Sequence, residues 1–140
     1  MIKNDRYYMN IAYKEALKAY KKNEIPIGVV IIKNDIILSK SHNLRDSDNI
    51  VTKHAEITAI EKANKKINNW RLNECILYST LEPCDMCSEV IKEAKIQKVV
   101  YAAKNQNISH NYKYNQIDDD KIIKKCEILI KNKFIELRNR

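Results

Sequence analysis

The sequence predicts an α/β layered domain with a mixed sheet. Three observations predict it: a helix-period apolar pattern at the N-terminus, two short apolar runs around a turn, and strands alternating with helices thereafter. A chain of 140 residues suits one domain, spanning 1–140, with its own core. No repeat or linker divides it.

The elements follow in order. Tyr8, Ile11, Ala12, Ala16 and Ala19 recur at helical spacing, and Asp5 is the expected cap of that first helix. Ile25-Pro26-Ile27-Gly28 ends it. Residues 29–32 and 36–38 read as two strands around a turn at Asn34-Asp35. Residues 41–48 read as a polar loop. A helix is expected over 54–65, with Ile57, Ile60 and Ala63 inward. Residues 75–79 read as a buried strand, 84–95 as a helix and 99–102 as a strand. Asp118-Asp119-Asp120 opens a terminal helix with an apolar stripe of Ile122, Cys126, Leu129, Ile130 and Leu137. Acidic residues at that end suit the helix dipole.

Composition narrows the function classes. A hydrophobic share of 44% argues against disorder. No apolar run approaches membrane-spanning length, and no signal-peptide core follows Met1-Ile2-Lys3-Asn4-Asp5-Arg6, so a cytoplasmic protein without a membrane partner is expected. Four cysteines that include a C-x-x-C pair fit a reducing compartment and a metal better than a disulfide framework. The net charge of +8 favours an anionic partner such as RNA. A composition rich in Lys, Asn and Ile, with a single glycine, gives the same charge without any such partner.

Two motifs carry the chemistry: His54-Ala55-Glu56 and Pro83-Cys84-Asp85-Met86-Cys87. One imidazole and two thiols make a three-ligand zinc set, which leaves a fourth position open for water, the pattern of a catalytic site. The expectation is one zinc per chain, on His54, Cys84 and Cys87. A structural site would want a fourth protein ligand. Cys75 and Cys126 are isolated in apolar stretches, and His42 and His110 have no supporting pattern. A redox C-x-x-C would leave the His-Ala-Glu motif unexplained. Zinc acidifies its water toward neutrality, and the resulting hydroxide can attack an amidine carbon such as adenine C6 or cytosine C4. Ammonia leaves only when protonated, so Glu56, beside the metal but not bound to it, is the expected proton shuttle. His54 and Cys84 both fall at predicted helix starts, whose free N–H groups favour negative charge.

The H-x-E…P-C-x-x-C pattern is similar to that of the zinc-dependent nucleobase deaminases. More closely, the chain resembles the bacterial tRNA-specific adenosine deaminases of the cytidine-deaminase-like superfamily, over about residues 8–103. The resemblance rests on the zinc motif, Glu24-Ile25-Pro26-Ile27-Gly28-Val29-Val30, Asn43 placed eleven residues before His54, Asn69-Trp70-Arg71-Leu72, and Leu77-Tyr78-Ser79-Thr80-Leu81-Glu82-Pro83-Cys84. It implies a three-layer α/β/α cytidine-deaminase-like fold with a mixed five-stranded sheet, a homodimer, and hydrolysis of the wobble adenosine of a tRNA anticodon loop to inosine. It also implies substrate contacts at Asn43, Ala55, Pro83, Phe134 and Arg138. On spacing alone Asn43 serves equally as a turn-capping asparagine, Phe134 as core and Arg138 as a solvated end. Residues 104–115 lack glycine and are shorter than the Gly- and Lys-containing loop of the family, so different RNA contacts are expected there. Two other readings stand beside this one: a small-molecule deaminase acting on guanine, cytosine or cytidine, and a non-catalytic zinc-stabilised subunit.

Overall fold

Asn34 and Asp35 both adopt left-handed backbone conformations, with φ of 50° and 62°. That is the handedness a two-residue hairpin turn needs, and Asn and Asp tolerate it better than other non-glycine residues. The turn joins β1 (Gly28–Lys33) to β2 (Ile36–His42). The structure is a computed structural model that describes residues 4–139.

Around this hairpin lie α1 (Asp5–Lys21), α2 (Arg45–Asp48), α3 (Ala55–Ile67), β3 (Cys75–Leu81), α4 (Asp85–Glu93), β4 (Lys98–Ala103), β5 (Asn115–Gln116) and α5 (Asp120–Arg138). The sheet has five strands in the order β2-β1-β3-β4-β5. β1 runs antiparallel to β2 and β3, while β3, β4 and β5 run parallel. The sheet is therefore mixed, and its two faces are covered by helices.

Side-chain alternation builds both cores. Val30 and Ile32 of β1, Tyr78 of β3 and Val100 and Ala102 of β4 face α1 and α5, where Tyr8, Met9, Ala12, Ile122 and Cys126 meet them. Val29, Ile31, Leu77 and Val99 point the other way, onto Ala55, Ala59, Ile60 and Ala63 of α3 and Ile91 of α4. The result is an α/β/α layering with two apolar cores. α1 lies very close to the sheet because it presents alanines at positions 12, 16 and 19. A Cβ at Gly28 would stand 1.9 Å from the Ala12 carbonyl oxygen, so the chain's single glycine sits where no side chain fits.

Several details differ from the sequence reading, each for a physical reason. Asn4, not Asp5, caps α1: its Oδ1 accepts the Tyr7 N–H at 3.0 Å. Asp5 instead accepts the Tyr78 hydroxyl at 2.6 Å, tying the helix to β3. β2 continues to His42 despite its polar sequence, because an edge strand faces solvent. Residues 45–48 form a helical turn, and the buried Glu24 carboxylate accepts its Asp46 and Ser47 N–H groups. β5 is two polar residues long, too short to leave a sequence pattern. In α5, Ile122 and Cys126 are buried as expected, but Leu129, Ile130 and Leu137 are only half-buried, and Lys133 joins the interior. Among the described residues, no helix is long and apolar enough to cross a membrane.

Candidate metal centre and active site

The His54 segment follows the 45–48 helical turn, the Cys84 segment follows β3, and both lead into helices. His54 occupies the N-cap position of α3, with an extended backbone (φ −74°, ψ 150°), and Cys84 does the same for α4 (φ −71°, ψ 173°). Neither uses its side chain as a cap, so imidazole and thiol are free to turn elsewhere. They turn toward each other. His54 Nδ1 lies 3.7 Å from Cys84 Sγ and 3.5 Å from Cys87 Sγ. The three candidate ligand atoms all fall within 4.8 Å of one another, close enough for one ion to touch all of them.

The proton distribution is what a cation would replace. The hydrogen bond from Cys87, with help from His54, drops the Cys84 thiol to about 4. As the donor in that bond, and by burial, Cys87 is pushed strongly up. His54 is raised by its bond to Cys84. The two thiols and the imidazole thus compete for protons within one cluster, and a divalent ion can take the place of those protons. The donor set fits zinc: soft sulfur, one imidazole and, among the described residues, no fourth protein donor in the cluster.

Glu56 sits in the first turn of α3, only 3% exposed. Its Oε1 is buried without a hydrogen-bond partner among the described residues. Burial raises its carboxyl to about 7. A buried, unsatisfied carboxylate oxygen costs stability, so its presence points to a use.

The other predicted contacts are placed unevenly. Asn43 is buried just after β2, with its N–H on the Ile27 carbonyl at 3.2 Å and its Oδ1 accepting the Arg45 N–H at 3.4 Å. Its carboxamide oxygen therefore does cap a turn. Ser41 donates to the Ala55 carbonyl, which holds this end of β2 beside the first turn of α3. Ala55 is fully buried there, and its N–H belongs to the helix's unpaired first turn. Pro83 is buried, and its carbonyl accepts from His110 Nε2 at 2.9 Å. Phe134 is 49% exposed rather than core. With Arg138, Leu81, Ala103, Lys104 and Lys131 it lines a cleft of about 600 Å³. Leu81 and Ala103 are the last residues of β3 and β4, so the cleft opens at the strand ends that lead to Cys84.

Sequence reasoning missed three groups. His110 bonds Pro83 but has no motif around it. Glu24 organises the 45–48 turn from more than twenty residues away. Lys133 hides in an apolar stripe as a buried cation. Only the Glu24-Ile25-Pro26 match carried any sequence signal.

Comparisons with known proteins agree with this geometry. Residues 2–103 match the family described as the cytidine and deoxycytidylate deaminase zinc-binding region. A tRNA-specific adenosine deaminase of Streptococcus pyogenes serotype M18 (strain MGAS8232) is 46% identical over 105 residues, 75% of this chain and 66% of that protein. The chain thus spans slightly less than two thirds of that relative's length. A solved structure from work on A-to-I editing by tRNA:A34 deaminases superposes with a TM-score of 0.80 at 27% identity, covering 89% of this chain and 99% of that one. The structure of guanine deaminase from Bacillus subtilis superposes at 0.70 with 36% identity, over 73% of this chain and 66% of that one. The zinc-ligand cluster, the buried glutamate and strands β1 to β4 all lie where the family match runs, and the chain belongs to the cytidine and deoxycytidylate deaminase zinc-binding family.

Proposed function

We propose that this chain is a single zinc-dependent deaminase domain that converts the wobble adenosine of a tRNA anticodon loop to inosine. The observation that carries the reading is a buried carboxylate with a free oxygen, two residues from one of three converging metal donors. The relatives named for tRNA adenosine deamination supply the substrate. Zinc held by His54, Cys84 and Cys87 would supply the Lewis acidity that makes water a nucleophile near neutral pH.

The chain's own residues do the rest. Glu56 takes a proton from the attacking water and passes it to the ring nitrogen. It then takes the second proton and delivers it to the departing amine. The water oxygen becomes the carbonyl of inosine, the C–N bond breaks, and ammonia leaves. The Ala55 N–H and the Asn43 carboxamide offer polar contacts to the base. Phe134 and Arg138 line a cleft suited to flanking nucleotides, one by stacking and the other by phosphate contact. The basic balance of +8 supports RNA binding and a cytoplasmic location beside tRNA. Exposed Ile50, Val51 and Met86 flank the ligand segments in sequence, and a second copy of the chain as homodimer partner would cover them.

The match to a guanine deaminase favours one alternative, a free purine base as substrate. A single experiment separates the two. The protein is incubated with an anticodon stem-loop bearing a wobble adenosine, and separately with free guanine, cytosine and cytidine. Inosine in the stem-loop with little ammonia from the free compounds is expected. Rapid turnover of guanine with no inosine in any stem-loop overturns the tRNA reading.

A further inference from the structure

We infer that His110 is a positioning residue for the reaction: it fixes the Pro83 carbonyl and, through it, the segment that presents Cys84. The inference rests on the reading of the metal cluster as a deaminase site. It goes beyond that reading by giving a role to a residue of the short loop between β4 and β5.

That loop has no regular structure, yet it is bonded at several residues to the Pro-Cys segment and to α4. Asn105 donates its backbone N–H to Glu82 Oε1 at 3.3 Å and its side-chain amide to the Glu82 carbonyl at 3.2 Å. The Asp85 carboxylate accepts the N–H groups of Ser109 and His110, both at 3.0 Å. Tyr112 donates its hydroxyl to Glu89 at 2.8 Å. Between these anchors His110 Nε2 meets the Pro83 carbonyl at 2.9 Å. Glu82 before Pro83 and Asp85 after Cys84 are thus tied to the loop. Pro83 has no N–H of its own, and it precedes the ligand Cys84 directly.

The partners of His110 fix its tautomer. Nδ1 accepts the Tyr112 N–H at 3.3 Å, and a carbonyl can only accept, so Nε2 carries the proton and donates it. The ring also packs against Tyr112 and Tyr114 at centroid distances of 5.3 and 5.6 Å, and those two tyrosines stack on each other at 5.9 Å. The imidazole is held in orientation by four groups. A side chain held this way sets the direction of the carbonyl that it bonds. A carbonyl one residue before a metal ligand controls how that ligand is offered, as outer-shell partners of metal ligands do.

The test compares His110→Phe and His110→Gln with the wild-type protein. Phenylalanine keeps the packing on the tyrosines and loses the donor. Glutamine carries an amide N–H at about the reach of Nε2. For each protein, kcat and KM are measured on whichever substrate the wild type turns over, together with the rate of zinc loss to a chelator and the melting temperature. His110→Phe is expected to lower kcat about 10- to 100-fold and to speed zinc loss by a similar factor, with KM and melting temperature nearly unchanged. His110→Gln is expected to recover most of both. The inference is overturned if His110→Phe keeps wild-type kcat and zinc retention, or if glutamine restores neither. Failure of the substrate reading would appear in the wild-type rates. Failure of this inference would appear in the variant-to-wild-type ratios, and the chelator arm reads it without any turnover.

Discussion

Glu56 would meet two demands that oppose each other in most proteins: the carboxyl group proposed to exchange protons is almost fully buried, with one oxygen left without a partner among the described residues. The arrangement costs stability and suits the proposed proton shuttle, which works best when neither protonation state is strongly preferred. Glu56→Gln should separate the two effects. Deamination should fall by at least ~10²–10⁴-fold, the usual range for loss of a general acid–base group. One zinc per chain should remain, because no ligand is touched. The melting temperature should hold or rise, since a neutral amide replaces a buried carboxyl. Elemental analysis and calorimetry on the same sample read the last two, and loss of zinc from the variant would place Glu56 among the ligands. The convergence of His54, Cys84 and Cys87 was legible in the sequence because metal-binding chemistry fixes residue type and spacing together. His110 was not legible, since a hydrogen bond to a carbonyl leaves no spacing rule behind.

α1 and α5 begin where a capping side chain meets the first-turn N–H groups, and α5 shows what that means for pH. Asp119 caps it, accepting the N–H groups of Lys121 and Ile122 at 3.1 and 3.2 Å, and also bonds Arg6 at 2.6 Å. The Ile122 N–H first, and Arg6 after it, hold its carboxyl below the ordinary Asp value. A lowered folded value means that the ionised form is the stabilising one. That contribution is present above about pH 4, the ordinary Asp range, and is lost as pH falls through the folded value. Asp119→Asn keeps a good cap and removes the titration. Denaturation between pH 2 and 5 should show a shallower acid loss for the variant than for the wild type, and parallel curves would sink the assignment. The aspartate run marked this helix start in the sequence. The start of α1 was misplaced by one residue, because Asp5 is engaged by Tyr78, seventy-three positions away, and only tertiary structure could show it. β5 and the 45–48 turn escaped for a related reason. Their partners, Val100, Tyr101 and Glu24, lie elsewhere in the chain.

Across the whole molecule, α1 and α5 cover the same face of the sheet, and Lys133 locks their far ends together. Only 2% exposed, it donates to the Tyr20 carbonyl at 3.0 Å and to Asn23 Oδ1 at 3.3 Å, and its ammonium lies 3.9 Å from the centroid of the Tyr20 ring. Tyr20 also bonds Glu136, one turn along α5. The Tyr20 carbonyl belongs to the last turn of α1, where it also accepts the Asn23 N–H at 3.1 Å, so Lys133 fills its second lone pair. Lys133→Met keeps the aliphatic stem and removes the charge. It should cost roughly 1.5–3 kcal/mol, the range for a hydrogen bond to a charged group, seen as a lower denaturation midpoint at unchanged slope. Phe134 and Arg138 follow on the same helix, so the cleft wall shares this anchor. The α/β layering was legible because apolar alternation and helical period survive any composition. A lysine inside an apolar stripe contradicts the pattern that locates the core, and sequence periodicity assigns it to solvent.

Among the described residues, seven non-glycine positions hold left-handed backbone angles, and two of them, Glu74 at 63° and Lys95 at 65°, lack the short polar side chain that makes the conformation tolerable. The chain's scarcity of glycine therefore leaves room for engineered thermostability at exposed positions away from the metal donors. Glu74→Gly or Lys95→Gly should each gain about 0.5–1 kcal/mol, after the entropy that glycine gives back to the unfolded chain. Melting temperature should rise by about 2–4 °C for each, with deaminase rates unchanged. Of the two, Lys95 is the cleaner site: it directly follows the α4 C-cap residue Ala94, where helices most often end on glycine.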